Sequence, residues 1–222
     1  MVRRYLFLLV TLAAFVLVQP WLREGLPWRL VLGMISLTII FVALRLVFPH
    51  RRAFRVAIGF GLASAVSVVI AAVHPTPTAL GIEALLAIAI LGFVGAVILA
   101  DIARTRTVTM DTIFGAACVY LLLGLFWGSL YRLVLWADPG AFRFPSFATT
   151  GAGLESVPGW ITYFSLVTLA TVGYGDVTPA SPLARSLAAI EGMTGQLYVA
   201  IMIARLVALQ VKHGTDRPSA DV

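Results

Sequence analysis

Long apolar runs, separated by short segments rich in arginine, proline and glycine, make up most of this sequence. A helix needs about 20 apolar residues to cross a ~30 Å hydrocarbon core. On that measure the pattern predicts six spans, at 5–19, 28–48, 54–73, 79–100, 113–136 and 183–211. All eleven prolines fall outside them, which supports the boundaries, since an interior proline costs a helix about 3 kcal/mol. Trp21, Trp28, Trp136 and Trp160 lie at the edges of apolar runs, where amphipathic rings settle at headgroup level. The first run follows Arg3 and Arg4 and has the shape of a signal peptide. Val18, Gln19 and Pro20 offer no small-x-small cleavage site, so the run is expected to stay as a helix.

A seventh apolar segment, 158–170, is too short to span. Its 13 residues make roughly 20 Å of helix. Segments of this length are re-entrant or buried, and Pro158 suits a first helical turn, where its missing N–H would have had no partner. Such a half-span helix is tolerable at membrane depth only where its open backbone end faces protein or water.

Composition agrees with a membrane protein. Of the 222 residues 60% are hydrophobic and only 12% charged, against roughly 25% charged in soluble domains, and the mean hydropathy is +0.99. The single cysteine, Cys118, forms no intrachain disulfide, and there is no asparagine to accept a glycan. The net charge of +6 comes from 15 Arg and one Lys against ten acids. These basic residues sit between the apolar runs, which is an orientation pattern and not a nucleic-acid surface. With the N-terminus inside, eleven of them (3, 4, 45, 51, 52, 55, 104, 106, 205, 212 and 217) fall on the cytoplasmic side and five (23, 29, 132, 143 and 185) outside. The positive-inside rule therefore puts both termini in the cytoplasm of a multi-pass protein of the cell membrane, and the short helix enters from outside.

Directly after the short helix comes Thr171-Val172-Gly173-Tyr174-Gly175-Asp176. A dehydrated K⁺ needs oxygens in place of its water shell, and rings of backbone carbonyls supply them. Aiming successive carbonyls at one axis takes backbone conformations that glycine enters most cheaply, which suits Gly173 and Gly175. The segment resembles the selectivity filter of the potassium channel family, and its place between a half-span helix and a last long helix is also that family's. The resemblance covers about 111–211. It implies that the carbonyls of Thr171, Val172, Gly173 and Tyr174 form the K⁺ sites, with the Val172 and Tyr174 side chains turned away. It also implies that Gly175 and Asp176 support the filter, Asp176 bonding to an aromatic donor on the pore helix. The matching positions are Tyr163, which keeps a donor, and Phe164; Val167 stands where some relatives place a glutamate. One filter strand per chain implies a homotetramer. Gly195, twenty residues after Gly175, matches the family's inner-helix hinge, with close helix packing as the alternative. In that register Gln196, Val199 and Ile203 line the cavity below the filter.

Glu191 lies nine residues into the last span, roughly 13 Å from its outer end. A carboxylate at that depth marks function by default, and it is expected to turn toward the pore helix, bonding Thr162 or Ser165. Gly124 and Gly128 form a GxxxG pair suited to helix packing. Glu83 and Arg45 are expected to snorkel to the interface, and His74 lies in an outer loop.

The expected architecture is all-α: six transmembrane helices, a re-entrant pore helix and an extended filter. It divides into an N-terminal four-helix membrane domain (1–106), a pore domain (107–211, with the pore helix at 158–170 and the filter at 171–175) and a short cytoplasmic tail (212–222). The fourth span carries no Arg or Lys, which excludes ordinary voltage sensing by that helix, and the tail is too short for a regulatory domain. The function expected is passive K⁺ conduction through a homotetrameric pore in a lipid bilayer, with K⁺ as permeant ion. No cofactor, nucleic-acid partner or enzyme activity is expected. The alternatives are a weakly selective cation channel, a non-conducting channel subunit, or a secondary transporter, against which the lack of an internal repeat argues.

Overall fold

A computed structural model of the chain describes residues 4–18, 76–105, 107–145 and 157–215, with a few positions between 59 and 70. Its helices are α1 (Arg4–Val18), α2 (Pro77–Arg104), α3 (Met110–Ala137), α4 (Val157–Leu169) and α5 (Pro182–Thr215). A two-stranded antiparallel pair, β1 (Phe142–Arg143) and β2 (Thr178–Pro179), sets Phe142 opposite Pro179 and Arg143 opposite Thr178. Among the described residues three helices are long and apolar enough to cross a membrane: Thr78–Arg104, Met110–Ala137 and Pro182–Val211. The expected span at 28–48 lies outside the described residues, and the positions described within 54–73 are helical.

Local chemistry sets the helix starts. Thr76 caps α2, its hydroxyl oxygen accepting from the Ala79 N–H at 3.3 Å, and Pro77 occupies the first turn. Thr109 caps α3 in the same way through Thr112 at 3.3 Å. Each side chain satisfies an amide that the helix itself leaves open.

Helix α3 is the centre. Its first half packs with α1 and α2, where Leu8, Leu12 and Phe15 meet Leu91, Val94 and Ile98 and also Cys118, Val119 and Leu122. On α1 and α2 these residues recur every three or four positions, as one helix face requires. The second half of α3 also packs against Phe142, Ile161, Phe164 and Val177, which meet Trp127, Tyr131 and Val134.

Polar ties mark the two ends. At one, the Tyr5 hydroxyl donates to Asp101 Oδ2 at 2.7 Å and the Tyr5 N–H to Asp111 Oδ1 at 3.2 Å. There too the Arg205 guanidinium of α5 donates to the carbonyls of Ile102 (2.6 Å) and Thr105 (3.2 Å). A cation on the last carbonyls of α2 opposes the negative end of that helix. At the other end Arg132 and Glu83 form an ion pair at 2.9 Å. The Glu83 carboxylate, near the start of α2, thus has a guanidinium partner on α3. Arg45 and His74 lie outside the described residues.

Candidate ion pathway

The short helix forms one residue earlier than expected, at Val157–Leu169, and its contacts with α3 show how far it descends. Phe164 lies beside Tyr131 with ring centroids 5.3 Å apart. At the next residue the Ser165 hydroxyl donates to the Gly124 carbonyl at 2.7 Å. At the end of α4 the Leu169 carbonyl accepts from the Tyr120 hydroxyl at 3.2 Å. Tyr120 lies about 15 Å from the start of a helix about 42 Å long, so α4 stops partway along α3. The chain then turns back, and Pro179 pairs with Phe142 just beyond the last turn of α3. The segment enters and leaves by the same face.

Close approach depends on the two α3 glycines. A Cβ on Gly124 would come 2.5 Å from Leu166 Cδ2, and one on Gly128 would come 3.4 Å from the Thr162 Cα. The GxxxG pair thus seats α4 on α3.

The end of α4 is a Schellman turn: the Val172 N–H donates to the Val167 carbonyl at 2.8 Å and the Thr171 N–H to the Thr168 carbonyl at 2.9 Å. Such a turn needs a left-handed residue, normally glycine, and here it is Thr171 with φ 57°. A β-branched residue in that region is an outlier, and holding it there costs about 1–3 kcal/mol. Gly173 (φ 53°) and Gly175 (φ 81°) are also left-handed, while Val172 and Tyr174 are not. In a regular strand successive carbonyls point to opposite sides. Alternating the sign of φ turns every second peptide over, which brings the carbonyls round to one side. Among the described residues no donor reaches the carbonyl oxygens of Thr171, Val172, Gly173 or Tyr174.

Behind this segment stand two braces. The Tyr163 hydroxyl donates to Asp176 Oδ2 at 2.8 Å, and Asp176 Oδ1 accepts from the Val177 N–H at 3.0 Å. The Tyr163 and Tyr174 rings lie parallel, with an interplanar angle of 1° and centroids 6.4 Å apart. Deeper, the fully buried Glu191 accepts from the Ser165 hydroxyl at 2.5 Å and from the Tyr131 hydroxyl at 2.6 Å. The carboxyl therefore joins α3, α4 and α5. Ser165 was expected from the sequence; Tyr131 was not, because a tyrosine in an apolar helix carries no sign of its partner.

Helix α5 comes closest at Gly195. A Cβ there would lie 2.1 Å from the Leu169 carbonyl oxygen, which is the packing alternative for this glycine. Its neighbour Gln196 donates from Nε2 to Thr171 Oγ1 at 3.1 Å. Val199 and Ile203 line an apolar groove of about 420 Å³ with Ile113, Ala117 and Tyr120 of α3. No grouping of three or more His, Cys, Asp or Glu side chains suited to a metal occurs among the described residues.

Residues 107–212 match the family described as ion channel. The two pore potassium channel c of Oryza sativa subsp. japonica is 34% identical over 92 residues, which cover 41% of this chain and 18% of the rice protein. No solved structure matches the chain.

Proposed function

From the match of residues 107–212 to the ion channel family and the likeness to a rice potassium channel, we propose that the chain belongs to the potassium channel family and is one subunit of a homotetrameric, K⁺-selective channel that conducts passively across the cell membrane. The observation that carries this reading is the alternation of φ at Thr171, Gly173 and Gly175, in a TVGYGD segment at the tip of a helix that goes partway in and returns. Four such segments around one axis would stack carbonyl rings that replace the hydration shell of K⁺, and ions would pass by knock-on between adjacent sites. The C-terminal end of α4 carries roughly half a negative charge and favours a cation beneath the rings.

A single chain leaves this arrangement uncovered, which supports the tetramer. Tyr174 is 70% exposed and Val172 53%, although both side chains face away from the proposed ion path. Along α5, Met193, Leu197, Ile201 and Val207 are exposed as well. Copies of the chain would cover these surfaces, and lipid the remainder.

The even number of crossings in the proposed six-span layout has support from Tyr5. It ties the start of α1 to the end of α2 and the start of α3, so α1 and α2 run in opposite directions, as an even number of crossings between them requires. Within 79–100 there is no Lys or Arg, so this helix has no charge pattern with which to do work in the membrane field. Filter support by Tyr163, Asp176, Gly175 and Glu191, and a cavity below the filter reached by Gln196, belong to the same proposal.

The test is the reversal potential of purified protein in planar bilayers under mixed K⁺ and Na⁺. A K⁺-selective pore holds the potential near the K⁺ equilibrium value. A weakly selective channel moves it toward zero, and a transporter gives saturable counter-flow without unitary steps.

A further inference from the structure

Thr171 stands at the inner mouth of the proposed filter in a conformation that glycine would adopt more cheaply, so its side chain has a use there. That side chain meets Gln196, whose Nε2 donates to Thr171 Oγ1 at 3.1 Å across 25 residues of sequence. The meeting is engineered by the preceding residue. Gly195 has no side chain, and α5 presses so closely on the end of α4 that a Cβ would lie 2.1 Å from the Leu169 carbonyl oxygen. Any larger residue at 195 would hold Gln196 off.

A threonine hydroxyl has two lone pairs and one proton. The Gln196 N–H occupies one lone pair, fixes the hydroxyl rotor and draws electron density away from the oxygen. A cation ring built from four such hydroxyls binds less strongly than one built from free hydroxyls. The amide is neutral, so it does this without adding charge to the pathway.

We propose that Gln196 is a positioning residue of the inner mouth, which through Thr171 sets how tightly the innermost oxygen ring holds a dehydrated cation. The inference rests on the reading of Thr171–Tyr174 as ion sites. Its consequence is functional: a knock-on pathway needs sites strong enough to fill yet weak enough to leave, and the Gln196–Thr171 bond weakens the ring that exchanges ions with the cavity.

The test uses Ba²⁺, a divalent cation of K⁺-like size, titrated calorimetrically into the purified full-length tetramer in K⁺-free buffer, alongside K⁺ flux of the unmodified protein in liposomes. Flux of the unmodified protein checks the underlying filter reading on its own. Removing the donor with Gln196→Leu is expected to tighten Ba²⁺ binding roughly five-fold, about the worth of one neutral hydrogen bond. Removing the hydroxyl with Thr171→Val is expected to weaken Ba²⁺ binding. Adding Gln196→Leu to Thr171→Val should then change nothing more, because the amide acts only through the hydroxyl. Calorimetry gives the comparison even for a variant that carries no current. Unchanged or weaker Ba²⁺ binding in Gln196→Leu, or an equal shift in the Thr171→Val background, would overturn the proposal.

Discussion

Ser165 and Glu191, on different helices and both fully buried, bring a hydroxyl and a carboxyl oxygen to 2.5 Å of each other. Ser165 Oγ also faces the Gly124 carbonyl at 2.7 Å. One hydroxyl proton thus has two acceptors, and the Tyr131 hydroxyl holds the other carboxyl oxygen at 2.6 Å.

This arrangement predicts opposite outcomes for two substitutions. Glu191→Gln supplies an N–H for Ser165 while its carbonyl still accepts from Tyr131, so every group keeps a partner and the fold should remain stable. Glu191→Leu leaves the buried Tyr131 hydroxyl without its acceptor, at a cost of about 1–3 kcal/mol, while Ser165 still donates to the Gly124 carbonyl. Thermal unfolding in detergent should show a clear drop for the leucine variant and little for glutamine. Equal drops would mean that the site needs charge and not hydrogen bonds.

Tyr163 and Asp176 make the outer brace at 2.8 Å. Tyr163→Phe keeps the ring stack on Tyr174 and removes only a hydrogen bond to a charged group, worth about 1.5–3 kcal/mol. The expected result is K⁺ flux that decays faster during sustained activity, with partial rescue in Tyr163→Trp, which restores a donor. Flux in Tyr163→Phe as durable as in the unmodified protein would show that the brace is idle.

The two close glycine contacts differ in what lies opposite. At Gly124 a Cβ meets the tip of Leu166, a flexible side chain that can rotate away; at Gly195 it meets the Leu169 backbone. Gly124→Ala should therefore assemble with a modest loss of stability, whereas Gly195→Ala should displace α5 and abolish flux. Size-exclusion profiles and liposome flux of the pair check this, and normal flux in Gly195→Ala would contradict the packing.

Much of the arrangement around α4 is legible in the sequence, for physical reasons. The half-span helix could be found because 13 apolar residues are too few to cross, and Glu191 because a buried carboxylate is costly enough to need partners. Tyr163 could be paired with Asp176 because it is the one donor at the matching positions. What escaped were meetings between helices distant in sequence. Glu83 and Arg132 are 49 residues apart, and nothing in either local pattern pairs them. Arg205 was counted as an orientation signal, which its charge satisfies equally well, although it also holds the end of α2. Gly195 suits a hinge and a close contact alike in the sequence, and the contact, with the Leu169 carbonyl, is one that only the folded chain brings into view.

Arg205 carries a prediction of its own. Its guanidinium is a polar tie between α5 and the last turn of α2. Arg205→Met keeps the apolar stem and loses bonds from a charged donor worth about 1.5–3 kcal/mol. Amide hydrogen exchange in the α2–α3 connection should then accelerate by about ten-fold or more. Unaltered exchange there would show that α2 ends the same way without it.

The most direct test of the central claim is K⁺ flux from liposomes containing the purified protein, with Na⁺ as competitor and Gly173→Asp as the control. That substitution puts a side chain at φ 53° and a carboxylate beside the proposed ion path. The account predicts flux that carries K⁺, excludes Na⁺ and vanishes in the variant. Flux that admits both ions, or that survives Gly173→Asp, would contradict it.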